Sequence, residues 1–179
     1  MVKRLKTNLE MIEAMLYFWQ ATSEKERVGE SYLNTIASTD VMKNIYDEEF
    51  NGESVRKVLS AISNREMFSG KNKKEGRFWN NNMWMLEDLE YTNMMVQPIK
   101  VLNLDGVYEK CKSFLSDCLY EEIEVIFVPE HLNEYKILDN KLIINFFRIK
   151  PSLYEDKTEI GDQEISEYIG EKIEELCRK

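Results

Sequence analysis

The feature that most constrains the fold of this chain is a change in the spacing of its apolar residues. Up to about residue 93 they recur every three or four positions; beyond it they alternate or run consecutively. A helix buries one stripe with a period near 3.6, whereas a strand sends successive side chains to opposite faces. Helical periodicity followed by strand periodicity, without regular alternation between them, predicts an α+β fold. At 179 residues the chain fits a single domain over 1–179, with 1–93 mainly helical and 94–179 an α/β part of the same globule. Only 7 Gly and 3 Pro leave little material for linkers.

Four helices are expected before residue 64. Thr7-Asn8-Leu9-Glu10 has capping-box spacing ahead of the apolar run Met11 to Trp19. Ser23-Glu24-Lys25-Glu26 repeats that signal ahead of Val28, Tyr32 and Ile36. A third stripe runs through Met42, Ile45, Tyr46 and Phe50 to a stop at Asn51-Gly52. Ser54 is placed to cap a fourth helix carrying Val55, Val58, Leu59 and Ile62. The stretch Ser69 to Arg77 lacks periodicity, is locally positive, and reads as an exposed loop.

The second half predicts a small mixed sheet. Val96 to Leu104 reads as a strand with Pro98 near its start, and Asp105-Gly106 as a turn. Val107, Cys111, Phe114, Leu115 and Cys118 mark a crossover helix, leading to a strand over Ile123 to Val128. Tyr135 to Leu138 and Lys141 to Ile149 flank Asp139-Asn140, two residues that tolerate positive φ, so a hairpin is expected there. Ile165, Ile169, Ile173 and Leu176 then align on one side of a carboxy-terminal helix.

Between the two halves lies a long central helix, expected over Phe78 to Tyr91. At 100° per residue its apolar arc holds Phe78, Trp79, Met83, Met85, Leu86 and Leu89. Asn82 falls inside that arc. A buried amide without partners costs on the order of 1–3 kcal/mol, so Asn82 is expected to hydrogen-bond in the core. The opposite side groups Asn80, Trp84, Glu87 and Tyr91, with Asp88 beside them. Large aromatics are usually buried, and a second layer covering Trp84 and Tyr91 would satisfy that rule. Left uncovered, the same five residues form an aromatic and acidic ridge suited to a partner offering cations or apolar groups.

The formal net charge is −9, with −5 of it in the segment from Pro151 onward. Phosphate binding is driven by clustered Lys and Arg, so nucleic acid and anionic membrane are disfavoured and a basic protein partner is favoured. Three cysteines cannot complete a disulfide framework, and Cys111 and Cys118 sit about 10 Å apart along one expected helix. The basic start Met1 to Lys6 leads into a segment carrying Glu10 and Glu13, unlike a signal peptide, and no apolar run reaches 18 residues. These features predict a cytoplasmic protein.

Catalytic patterns are weak. His131 is the only histidine and lies in a connection between strands, where bracing a loop is the commoner role. An acid-x-Lys pair of the kind that supports a metal-bound water occurs at Glu134, Asp139 and Glu155, but 33 acidic residues make such pairs frequent by chance. The basic loop lacks the Gly-Lys-Ser/Thr ending of a phosphate cradle. No cofactor or metal ligand set is therefore expected. The expectation is a non-enzymatic acidic protein acting through a protein-binding surface. In composition alone it resembles the small bacterial immunity and antitoxin proteins that neutralise cationic toxins. Two alternatives are a carboxylate-based metal-dependent hydrolase using Asp105, Glu124 and Glu134, and a small-ligand protein with its pocket under Trp84 and Tyr91.

Overall fold

The computed structural model describes residues 1–179 and has an α+β architecture with a helical amino-terminal half and a carboxy-terminal helix. Its largest sheet has four strands in the order β1-β2-β4-β3, formed by Arg4–Asn8, Glu122–Val128, Lys141–Asn145 and Tyr135–Leu138 respectively. β1 and β4 both run parallel to β2, and β3 is antiparallel to β4. In β2, four successive residues, Val125 to Val128, are buried, which requires cover on both faces of the sheet. Helices α1 (Glu10–Ser23) and α3 (Asp40–Lys43) pack on β2, while α7 (Asp105–Lys110) packs on β1 and α9 (Ile165–Arg178) on β4.

Strand β1 departs from expectation. Arg4 and Lys6 face the carboxylates of Glu122 and Glu124 on the neighbouring strand, with Arg4 to Glu122 at 3.4 Å and Lys6 to Glu124 at 3.4 Å. A five-residue edge strand with charged alternate positions carries no apolar signature, so its sequence looks like a basic tail. The capping box expected at Thr7 is absent as well. Asn8 Oδ1 accepts the Glu10 N–H at 3.0 Å and turns the chain from β1 into α1.

One helix-start signal in the first half marks an end instead, and one expected stop opens a helix. The Ser23–Glu26 segment closes α1: Lys25 takes a left-handed φ of 67°, and the Glu26 N–H reaches the Ala21 carbonyl at 2.9 Å. Helix α2 begins later, at Glu30, and runs to Ser38. The third helix is a single turn, α3, because Asp47 Oδ1 accepts the N–H groups of Glu49 and Phe50 and folds residues 47–50 into a turn. Asn51-Gly52 opens a helix rather than ending one. Asn51 and Ser54 exchange side-chain to backbone bonds of 3.2 Å in a capping box for α4 (Gly52–Asn64).

The expected central helix is two helices. α5 spans Lys73–Glu87 and α6 spans Leu89–Lys100, with Asp88 between them at φ −138° and ψ 77°. The predicted strand Val96 to Leu104 is therefore absent: Val96 to Lys100 belong to α6, and 101–104 form no strand. Met95, Val96 and Ile99 face the core at helical spacing, and Pro98 sits on the outer side. Pro98 cannot donate to the Met94 carbonyl, yet the helix recovers at the next turn, where the Val101 N–H reaches Gln97 O at 3.2 Å. The expected turn at Asp105-Gly106 starts α7, and α8 (Lys112–Leu115) follows it. With no strand at 96–104, the parallel pairs come from β1 and β4 on either side of β2.

The hairpin turn lies where it was expected. Asp139 alone takes positive φ, at 55°. After β4 the chain passes through a short 3-10 turn, Phe146–Arg148, into a second sheet of β5 (Ile149–Pro151), β6 (Thr158–Ile160) and β7 (Gln163–Glu164). Glu164 then caps α9 by accepting the N–H groups of Ser166 and Glu167. Burying Ile165, Ile169, Ile173 and Leu176 contributes about 1.5–3 kcal/mol per side chain and docks α9 against the sheets.

Candidate partner-binding surface

Helix α5 holds the candidate surface in place through three anchors. At its start, Asn72 Oδ1 caps the Glu75 N–H at 3.0 Å, and buried Glu75 accepts from Lys57 Nζ at 2.8 Å and from the Lys71 N–H at 2.9 Å. In the middle, Phe78 is buried edge-on to Phe50 with ring centroids 5.1 Å apart. Asn82 is buried too, accepting from Trp19 Nε1 at 2.9 Å and donating to the Phe78 carbonyl at 2.8 Å. At the end, Thr92 Oγ1 donates to the Met85 carbonyl at 2.8 Å and lies 3.0 Å from the Asp88 carbonyl, fixing the break between α5 and α6.

With those anchors set, the far side of α5 faces solvent. Trp84 is 65% exposed, and Asn80 and Glu87 are exposed beside it. The covering layer that would bury Trp84 is absent. Tyr91 separates from it and lies half-buried against the core from the first turn of α6. Asp88 has a structural duty: its Oδ1 accepts the Tyr91 N–H at 3.0 Å and caps α6. Its remaining charge stays in solvent. Glu87, Asp88 and Glu90 take part in no ion pair, so three unneutralised carboxylates follow Trp84 within six residues.

Trp79 contributes on another side of the helix. It is half-buried and stacked on Phe68 at 6.3 Å. With Met83, Leu86 and Ile62 it lines a shallow apolar groove of about 320 Å³ beside the end of α4.

No family model, curated protein or solved structure matches the chain.

The catalytic candidates do not assemble. No three His, Cys, Asp or Glu side chains are grouped to hold a metal ion. Asp105 sits in the first turn of α7, Glu124 is engaged by Lys6 at 3.4 Å and Asn8 at 3.3 Å, and Glu134 lies in the loop before β3. His131 braces its loop from within. It is buried against Phe50 at 4.2 Å, and its Nε2 meets the Ile45 carbonyl at 3.0 Å, Glu130 at 3.4 Å and Asp47 at 3.6 Å. Three acceptors around one nitrogen place the proton on Nε2. Burial works to raise the Asp47 carboxyl, but hydrogen bonds from Lys74 and from the Glu49 and Phe50 N–H groups carry it below its ordinary range.

The basic loop is likewise partly structural. Lys74 is paired with Asp47 at 2.9 Å and Glu49 at 3.2 Å, and Lys73 onward is helix rather than loop. Cys111 and Cys118 are buried and Cys177 half-buried, all three as free thiols, with burial first and then a contact from Cys118 pushing the Cys177 thiol up to about 12. A thiol so shifted is a poor nucleophile at neutral pH. No helix is long and apolar enough to cross a membrane.

Proposed function

We propose that this is a non-enzymatic protein of the bacterial cytoplasm that binds a basic protein through the Trp84 ridge. The observation that carries this reading is Trp84 itself, 65% exposed on a helix whose other side is anchored in the core. Leaving an indole in water forgoes burial worth about 2–3 kcal/mol, and a protein partner is the occupant that recovers it. The unpaired carboxylates of Glu87, Asp88 and Glu90 repel phosphate and attract Lys or Arg, as does the net charge of −9. Neutralising a cationic toxin, as immunity proteins and antitoxins do, is the form of this function that the size and acidity fit.

The test is capture from the source cell with the wild-type chain and a Trp84→Ala variant, followed by mass spectrometry. A basic protein retained by the wild type, lost from the variant and released by about 0.5 M salt supports the reading. Equal retention by both chains, or retention of acidic proteins alone, overturns it. A gene for a basic toxin domain beside the gene for this chain would name the protein to try first.

A further inference from the structure

Helix α6 carries a second, partly uncovered stripe that begins at the ridge. Tyr91, Met94, Pro98 and Val101 recur at intervals of three, four and three residues and so share one side of the helix. The other side holds Thr92, Met95, Val96 and Ile99, all buried. Tyr91, Met94 and Pro98 are half-buried, and Val101 is 66% exposed. The line is thus only partly covered and opens to solvent towards Val101.

Its carboxy-terminal half forms one wall of a cleft of about 490 Å³. The hairpin between β5 and β6 and the first turn of α9 supply the other walls. The hairpin tip is held by its own hydrogen bonds. Ser152 Oγ accepts the N–H groups of Tyr154 at 3.2 Å and Glu155 at 3.0 Å, and the Ser152 N–H reaches the Lys157 carbonyl at 2.9 Å. That turn leaves Tyr154 94% and Leu153 65% exposed beside the cleft. On the rim, Lys157 is paired with Glu159 at 3.7 Å and Glu164 caps α9, while Glu155 and Asp156 are in no ion pair. Lys100, the cation of α6, lies about 100° around the helix from Val101.

We infer that this stripe and cleft receive a short basic amphipathic segment of the protein partner. Its apolar side chains lie on Met94, Pro98 and Val101, and its Lys or Arg side chains meet Glu155 and Asp156, with Tyr154 as a cation–π face. The inference rests on the proposed function and extends it, since Tyr91 joins the ridge to the stripe. Helix α6, 12 residues long, offers a track of about 18 Å, which suits some three turns of a partner helix. An acidic rim around an apolar floor selects for cations ordered along one side of a segment, not for charge alone.

The test uses the full chain, labelled with nitrogen-15, and a 14-residue peptide of leucine and lysine in amphipathic helical order. A scrambled peptide of the same composition serves as control. Amide shifts confined to residues 91–103 and 151–158, with the scrambled peptide bound at least about tenfold more weakly, support the cleft. Glu155→Gln with Asp156→Asn, and separately Val101→Ser, then weaken the ordered peptide by about threefold to tenfold. Shifts scattered over the acidic surface, or equal binding of the two peptides, overturn it. Trp84→Ala separates the two proposals. Read on the basic protein captured from the source cell, retention lost in Trp84→Ala but kept in the cleft variants removes the cleft and leaves the ridge, and the reverse removes the ridge and leaves the cleft.

Discussion

The indole N–H of Trp19 donates to the side-chain oxygen of Asn82 at 2.9 Å, joining α1 to α5 inside the core. Both residues are fully buried, and the Asn82 amide nitrogen is satisfied by the Phe78 carbonyl within its own helix. Trp19 also stacks on Phe146 at 5.6 Å, so one polar contact fixes the depth at which three elements meet. Asn82→Ala strands the indole donor and opens a small cavity, and a loss of about 2–3 kcal/mol is expected. Urea unfolding checks it. In a double-mutant cycle with Trp19→Phe the two losses should fall short of additive, because each removes the same bond.

Trp84 should behave in the opposite way. Trp84→Ala is expected to change stability by no more than about 0.5 kcal/mol, whereas Phe78→Ala on the buried side of the same helix costs about 3–5 kcal/mol. Iodide quenching provides an independent check. Trp19 is inaccessible and Trp79 half-covered, so Trp84→Phe removes most of the quenchable emission. A folded protein whose quenching is unchanged by that substitution would contradict the exposure of Trp84.

Asp88 combines a cap with a surface charge, and two substitutions separate them. Asp88→Ala loses the acceptor for the Tyr91 N–H and is expected to cost about 1 kcal/mol. Asp88→Asn keeps an oxygen in place, with an expected effect of a few tenths of a kcal/mol on stability. If the charge attracts a basic partner, Asp88→Asn weakens binding while leaving the unfolding midpoint in place. Thermal unfolding beside a binding titration reads both effects.

Glu75 makes stability depend on pH in the acid range. Burial pushes its carboxyl up, but the Lys57 ammonium, the Lys71 N–H and the Ser54 hydroxyl outweigh burial and hold it below its ordinary value of 4.5. A group lowered in the folded state contributes stability that is present above its unfolded value and lost as pH falls through the folded one. Glu75→Gln should therefore be less stable than wild type by about 1–2 kcal/mol at pH 7, a figure moderated by the one-third exposure of Lys57. The gap should narrow as pH drops below 4.5. Urea midpoints of both proteins at pH 7, about 4.5 and about 3 test the sign.

Local patterns were legible where residues close in sequence settle the outcome. The stripe of α9, the consecutive apolar run of β2, and the turn between β3 and β4 follow from spacing and from an Asp that tolerates positive φ. Signals at helix ends were ambiguous. Ser23 to Glu26 and Asn51-Gly52 contain residues that favour either end of a helix, and the structure uses the first to close α1 and the second to open α4. Val96 to Leu104 misled because its β-branched residues and Pro98 suggest an edge strand, while burial of Met95, Val96 and Ile99 on one side favours a helix.

From its residues alone, then, the chain is acidic, divided into helical and mixed halves, and required to pair Asn82 inside its core. Each of these depends on composition or on residues within a turn or two of one another. Tertiary structure decided the rest. It uncovered Trp84, set Tyr91 on a second helix, gave Asp88 a capping role, and brought the 151–158 hairpin beside the end of α6. The physical reason is that a helical angle specifies which side chains share a face but not what lies opposite that face. Only the packing of distant segments determines whether an aromatic residue meets another element or water.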